Sequence, residues 1–401
     1  MPVFKYYGRN EKGTAVEGKL KAGTEREVRD KLERRKIKPK EVQELTGWMY
    51  KEIQLFQRAK TKDLVIFLRQ MTTLIQAGVS IVDSIRLLGE QTKQKLWREA
   101  FQQIEEEVRA GKEFSATLES HRNLFPALLT NMIKAGEAGG NIDEVMERLA
   151  VYYEKQHQLK QKVISAITYP VILAVISLGV VLFLLAVVVP SFASMFAGFG
   201  AELPLITRFV LASGDFLTTW IWLLIPVIGL VIAAVVYAKR DPNIGYYLDL
   251  LLLRTPIIGG VLQKAAIARM SRTWASLFQS SVPVLQATAI VERVVGNEVL
   301  ARVIRESRVA LERGESIATP MEEHWIFPPL VTQMVVVGEK TGALDKMFEK
   351  VADFYETEVD QSTERLKSLL EPLLIAFMAV IVGTIVASIA IPMFEIFETI
   401  Q

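Results

Sequence analysis

The chain has 401 residues, of which 50% are hydrophobic and 23% charged, with a formal net charge of +2 and a mean hydropathy of +0.25. It contains no cysteine, which excludes disulfides and thiolate metal sites. The length allows two or three domains with cores of their own, and a positive mean hydropathy beside so many charges points to soluble and membrane segments in one chain.

Residues 1–46 read as a small α+β module. Phe4 and Tyr6 alternate with polar neighbours, Asn10 to Gly13 makes a turn, and Thr14 to Leu20 returns as a second strand. Thr24 with Glu27 three residues on forms a capping box for a helix to about Arg35; Pro39 then breaks that helix, and Val42 and Leu45 suggest a third strand. The N-terminus has no apolar stretch of the kind found in a cleaved signal, so membrane insertion is expected from internal segments. Thirteen Lys/Arg stand against eight Asp/Glu here. The interspersed signs favour a solvated face over a surface for acidic lipid headgroups or nucleic acid.

Residues 47–61 read as a linker and 62–162 as a cytoplasmic helical bundle. Leu64, Phe67, Leu68, Met71, Leu74 and Ile75 recur at helical spacing, and Ser80 with Asp83 caps the next helix. A charged amphipathic helix follows to Gly111; after Phe125-Pro126 comes an apolar-faced helix, then Gly136-Glu137-Ala138-Gly139-Gly140 as a turn. Asn141 with Glu144 caps the last helix, and no breaker follows until Pro170. A helix over 141–189 measures roughly 70 Å, with a kink expected at Pro170.

No charge interrupts Lys162 to Glu202, Asp215 to Lys239, or Glu371 to Glu395. Transmembrane helices are therefore expected at 168–190, 217–238 and 372–393. Lys155, Lys160 and Lys162 precede the first, Lys239 and Arg240 follow the second, and Arg365 and Lys367 precede the third. The positive-inside pattern places 1–162 and 239–370 in the cytoplasm, and the 191–216 loop and the C-terminus on the other side. Residues 244–262 form an apolar helix, interfacial or buried, and 264–370 a second bundle.

The second bundle repeats the first. Phe125-Pro126 recurs as Phe327-Pro328, Gly136-Glu137 as Gly338-Glu339, Gly140 as Gly342 and Pro170 as Pro372, all 202 positions on; upstream, Gly111 with Gly314 and His121 with His324 are 203 apart. Segments 168–190 and 372–393 end matched copies, whereas 217–238 belongs to neither and returns the chain, so that the copies are parallel repeats.

The repeated turn is the most tempting site. Gly338-Glu339-Lys340-Thr341-Gly342 lacks the order and the strand–helix context of a phosphate loop. Gly136, Glu137, Gly140, Gly338, Glu339 and Gly342 are candidates for partner contact; the alternative is a helix–helix turn whose glycines supply positive φ and whose Glu favours a helix N-terminus. His121, His157 and His324 have no metal-ligand spacing. Carboxylate-rich helix faces leave room for a weak oxygen-ligated Ca²⁺ or Mg²⁺ and no other cofactor. No catalytic motif is present. The three apolar segments contain no ionisable residue that would mark a substrate path. Small residues, among them Ala174, Ser177, Gly179, Gly383, Ala387, Ser388 and Ala390, read as close-packing positions.

Paired helical bundles, each with Phe-Pro…Gly-Glu-x-x-Gly before an apolar segment, together with the small N-terminal module, resemble the inner-membrane platform family of type II secretion systems and type IV pili, called GspF/PilC. Thr341, where the first copy has Gly139, is a departure that bears on one corner only. The resemblance implies a mainly α, polytopic, non-enzymatic protein of the bacterial inner membrane. It also implies a hexameric cytoplasmic ATPase, pilins or pseudopilins, inner-membrane alignment proteins, further copies of the chain and membrane lipids as partners, and no nucleic acid. The competing readings are a subunit of a multimeric transporter and a membrane-anchored signalling scaffold.

Overall fold

A computed structural model describes residues 3–10, 15–21, 37–44, 61–198, 203–239, 241–256 and 258–399, with Glu25, Val28, Arg29 and Leu32. The chain divides into two compact units, Met1–Arg58 and Ala59–Gln401. In the first, β1 (Val3–Asn10), β2 (Ala15–Lys21) and β3 (Ile37–Glu44) form an antiparallel sheet in the order β2-β1-β3. Alternation along β1 sends Phe4 and Tyr6 to one face, where they are buried with Val28 and Leu32, both helical. Pro39 does not precede β3 but lies within it. This is an edge strand, where a missing N–H is tolerated. Thr24, Glu27, Leu45 and residues 47–60 lie outside the described residues.

The second unit begins with α1 (Thr61–Gln76), α2 (Ile81–Gln91), α3 (Lys95–Arg109), α4 (Phe114–Glu119) and α5 (Ala127–Gly139). The apolar stripe of α1 buries Leu64, Phe67, Leu68 and Met71. Phe67 then meets Trp97, Phe101 and Phe125 with ring centroids 5.2–5.7 Å apart. Ser80 caps α2 as its spacing predicts, accepting a hydrogen bond from the Asp83 amide at 3.1 Å.

The long helix α6 (Ile142–Phe183), with Pro170 inside it, passes through a π-helical turn at Leu184–Val188 into α7 (Val189–Gly198). The wide turn falls just before Pro190, whose missing N–H interrupts the regular ladder. Helix α8 (Leu205–Ala238) follows. The loop expected over 191–216 is therefore mostly helix. With no charge or turn residue to mark a boundary after Pro190, the helix simply continues to Gly198.

Residues read as an undecided apolar helix form α9 (Pro242–Arg254), which buries Gly245, Asp249 and Leu253. The second bundle starts earlier than expected, with α10 (Ile258–Gln279), and continues as α11 (Val284–Val294), α12 (Glu298–Glu312), α13 (Thr319–Glu322), α14 (Pro329–Thr341) and α15 (Leu344–Thr399). Among the described residues, two helical runs are long and apolar enough to cross a membrane, Ile142–Phe196 and Leu344–Phe394.

The bundles do not keep separate cores. One buried cluster runs from Leu64 through Tyr152 and Trp274 to Val359. Between copies, Tyr152 Oη lies 3.0 Å from Thr273 Oγ1, Lys155 pairs with Glu356 at 3.2 Å and Lys162 with Asp360 at 2.6 Å. A smaller apolar cluster joins Val181, Leu185 and Val189 to Val210 of α8 and Ile385 of α15. There the Thr207 hydroxyl donates to the Ser388 carbonyl at 2.6 Å. Of the small residues expected at close helix contacts, Ser388 is buried, whereas Gly179 and Gly383 face open space.

Candidate functional site: the repeated corner and the helices it feeds

The repeated Gly-Glu motif is not itself a turn. Gly136 to Gly139 complete α5, and the turn narrows to Gly140, at φ 72°; in the second copy Gly342, at φ 68°, takes the same place after α14. The Asn141 amide donates back to the Gly136 carbonyl, and Ala343 to Gly338, each at 3.0 Å. The Asn141 side chain makes no capping bond. This left-handed corner turns the chain without it, so the expected Asn141–Glu144 cap is replaced by a backbone device.

Gly136 and Gly338 are buried for a different reason. A Cβ at Gly136 would meet Val145 Cγ2 at 2.9 Å, and one at Gly338 would meet the Leu344 Cα at 3.1 Å. The absent side chain lets α6 and α15 fold back tightly on the helices before them.

The glutamates reach backwards along the chain. Glu137 accepts from the Phe114 amide at 2.6 Å and the Ser115 amide at 3.0 Å, both at the start of α4. Glu339 accepts from the Ile317 amide at 2.7 Å and from the Ser316 hydroxyl. Each carboxylate occupies both oxygens in tying its helix to an earlier segment of its own bundle; Glu137 satisfies amides left free at the start of α4, and Glu339 holds the two residues Ser316 and Ile317 ahead of α13. Thr341 turns its hydroxyl to the Val337 carbonyl at 2.8 Å, so the departure from Gly139 is absorbed within its own helix. The surface left at each corner is small: Ala138, Gly139 and Gly140 in one copy, Lys340, Thr341 and Gly342 in the other.

A second constellation clamps the long helices. Arg69 of α1 forks onto Glu154 at 2.6 and 2.5 Å and reaches Glu147 at 3.0 Å. Arg272, its counterpart in α10, binds Glu356 at 2.8 Å and Asp353 at 2.5 Å. Hydrogen bonding to Arg69 holds the Glu154 carboxyl below its usual range. Glu356 also takes Lys155 of the other copy, so one carboxylate joins the clamp of the second bundle to the first. Neither arginine stands out in the sequence by its neighbours, although Arg69 and Arg272 keep the offset of 203 and Glu154 and Glu356 the offset of 202.

The histidines serve local packing. His324 Nδ1 accepts from the Ile326 amide at 3.3 Å, and burial lowers the pKa of both His121 and His324. Among the described residues no cluster of His, Asp and Glu is placed to hold a metal ion.

The copies also match a family in sequence. The model of type II secretion system protein F matches residues 67–190 and again 270–392, and that family's N-terminal domain matches residues 1–43. The chain belongs to the type II secretion system protein F family. It is 37% identical over 409 residues to a type IV pilus assembly protein PilC of Thermus thermophilus, covering all of both chains. It is 35% identical to a PilC of Myxococcus xanthus, covering 86% of this chain and 83% of that one. A type II secretion system protein F of Xanthomonas campestris is 33% identical over all of both chains. The matched segments of the family model each run from the first bundle helix through an apolar span, the same unit that the offsets define.

Proposed function

We propose that this chain is the inner-membrane platform of a machine that assembles type IV pili or type II secretion pseudopili. It couples a hexameric cytoplasmic ATPase to the extraction of pilin or pseudopilin from the bilayer. One observation carries the reading: in both copies a single helical run leaves a shared bundle core and continues into an apolar span, from Ile142 and from Leu344. A partner that tilts or turns the bundles thereby moves the spans, with no loop to absorb the motion. The names of the relatives, spread over pilus assembly and type II secretion, support the same role.

In this proposal α8 supplies a third span, over 217–238, and the N-terminal module and both bundles face the cytoplasm with the C-terminus outside. The role is mechanical, and the chain brings no cofactor of its own. Inner-membrane alignment proteins hold the assembly in register. The exposed corner residues, Lys340 above all, are contact points for the ATPase. Phe354, 47% exposed where its counterpart Tyr152 is 2% exposed, marks a face for a second copy.

The absence of cysteine makes the topology directly testable. In intact cells Ser194→Cys should react with a membrane-impermeant thiol reagent, and Ser362→Cys only after permeabilisation. Affinity purification of the tagged full chain should recover the ATPase and pilins. Recovery of neither from fibre-producing cells would reject the proposed role.

A further inference from the structure

The same fold makes the same cleft twice. In the first bundle a cleft of about 250 Å³ opens between α1 and the α2–α3 connection, bordered by Asp63, Ile66 and Thr92. In the second, a cleft of about 210 Å³ opens between α10 and the α11–α12 connection, and the corresponding positions are Ala266, Arg269 and Val295. Here the end of α8 and the part of α6 just before its apolar stretch also border the space, bringing Lys239 and Lys160 to it. The cationic character is thus particular to the second copy and not a by-product of the repeat.

The charges do not cancel. Asp249, the one carboxylate lining this cleft, is buried and holds Lys239 at 2.6 Å while accepting the Glu298 amide at 2.9 Å. Its charge is spent on fixing that lysine. Among the described residues neither Lys160 nor Arg269 forms an ion pair; the Arg269 guanidinium donates only to the Val295 carbonyl, at 3.3 Å. Below these cations the walls are apolar, with Leu159, Val163 and Leu262, and exposed Ile164 and Ile167 continue the apolar surface along α6.

We infer that this cleft is a binding site for the headgroup of an anionic phospholipid of the cytoplasmic leaflet. The phosphate sits against Arg269 and Lys160, and an acyl chain lies along Ile164 and Ile167. Basic pockets beside spans on the cytoplasmic side suit such headgroups. The cations stand directly above apolar walls that run on along α6 toward its span, the layering of a headgroup over an acyl chain. The site rests on the placement of α6 and α8 in the membrane proposed above, but its test reads lipid affinity alone and is independent of fibre assembly.

Native mass spectrometry of the full chain released from detergent, with phosphatidylglycerol or phosphatidylcholine added, reads that affinity. Phosphatidylglycerol should be retained preferentially. Arg269→Gln should weaken it roughly five-fold and Lys160→Glu about twenty-five-fold, at about five-fold per unit of charge, while Lys95→Glu on an exposed helix face changes nothing. Because Lys160 is exposed, that variant decides the matter even where Arg269→Gln fails to fold. Equal retention of phosphatidylcholine, or wild-type affinity in Lys160→Glu, would overturn the inference. So would displacement of the lipid by inorganic phosphate at matching concentration, which would mean a soluble-anion site, or by an apolar acidic peptide, which would mean a protein partner.

Discussion

At the scale of single residues, the two matched acids and the two matched arginines do different kinds of work. Removing the Glu137 carboxylate leaves the Phe114 and Ser115 amides without their acceptor, so Glu137→Ala should cost about 1–3 kcal/mol in denaturation of the detergent-purified chain. Loss of fibre assembly at unchanged stability would instead place that glutamate on a partner. The clamps are unequal. The Arg272 side chain is 9% exposed and the Arg69 side chain 40%. Arg272→Ala leaves the part-buried Glu356 with Lys155 as its remaining partner and should cost about 1.5–3 kcal/mol, whereas Arg69→Ala, screened by water, should cost about 1 kcal/mol or less. Equal losses in the two variants would contradict the difference in burial. The histidines give a pH signature. Burial favours neutral imidazole at His121 and His324, so the unfolded chain binds more protons, and stability falls as pH drops through the ordinary value of 6.5. Melting temperature should decline from pH 7.5 to 5.5, and the His121→Gln/His324→Gln double variant should flatten that decline.

At the scale of elements, what the sequence disclosed and what it hid divide along the range of the interactions. Helical spacing at Leu64, Phe67, Leu68 and Met71, the Ser80 cap and the helix running through Pro170 are local patterns, and each appears where the residues indicate. The repeat was visible because duplication preserves spacing. The job of Glu137 was not, because its acceptor geometry depends on α4, which lies 22 and 23 positions back. Nor were the arginine clamps, which bridge 78 and 85 positions in the first copy. A boundary inside an uncharged apolar stretch carries no signal of its own, so the helix beyond Pro190 read as loop.

At the scale of the whole molecule, the finding that matters is fusion. Two copies that read as independent bundles share one core and are latched by Lys155–Glu356 and Lys162–Asp360 at the point where their long helices approach the membrane. Hydrogen exchange should therefore show 145–163 and 351–366 opening as one cooperative unit; independent exchange of the two blocks would argue against a shared core. A fused pair of bundles with two stiff outputs suits the proposed role, a part that passes motion from the bundles into the bilayer. The most direct test is to insert a flexible glycine-rich stretch between Lys160 and Tyr169 and count surface fibres. Such a chain should still insert and, under the proposed role, still recover the assembly ATPase, yet assemble no fibre; normal fibre assembly would contradict mechanical coupling through this helix.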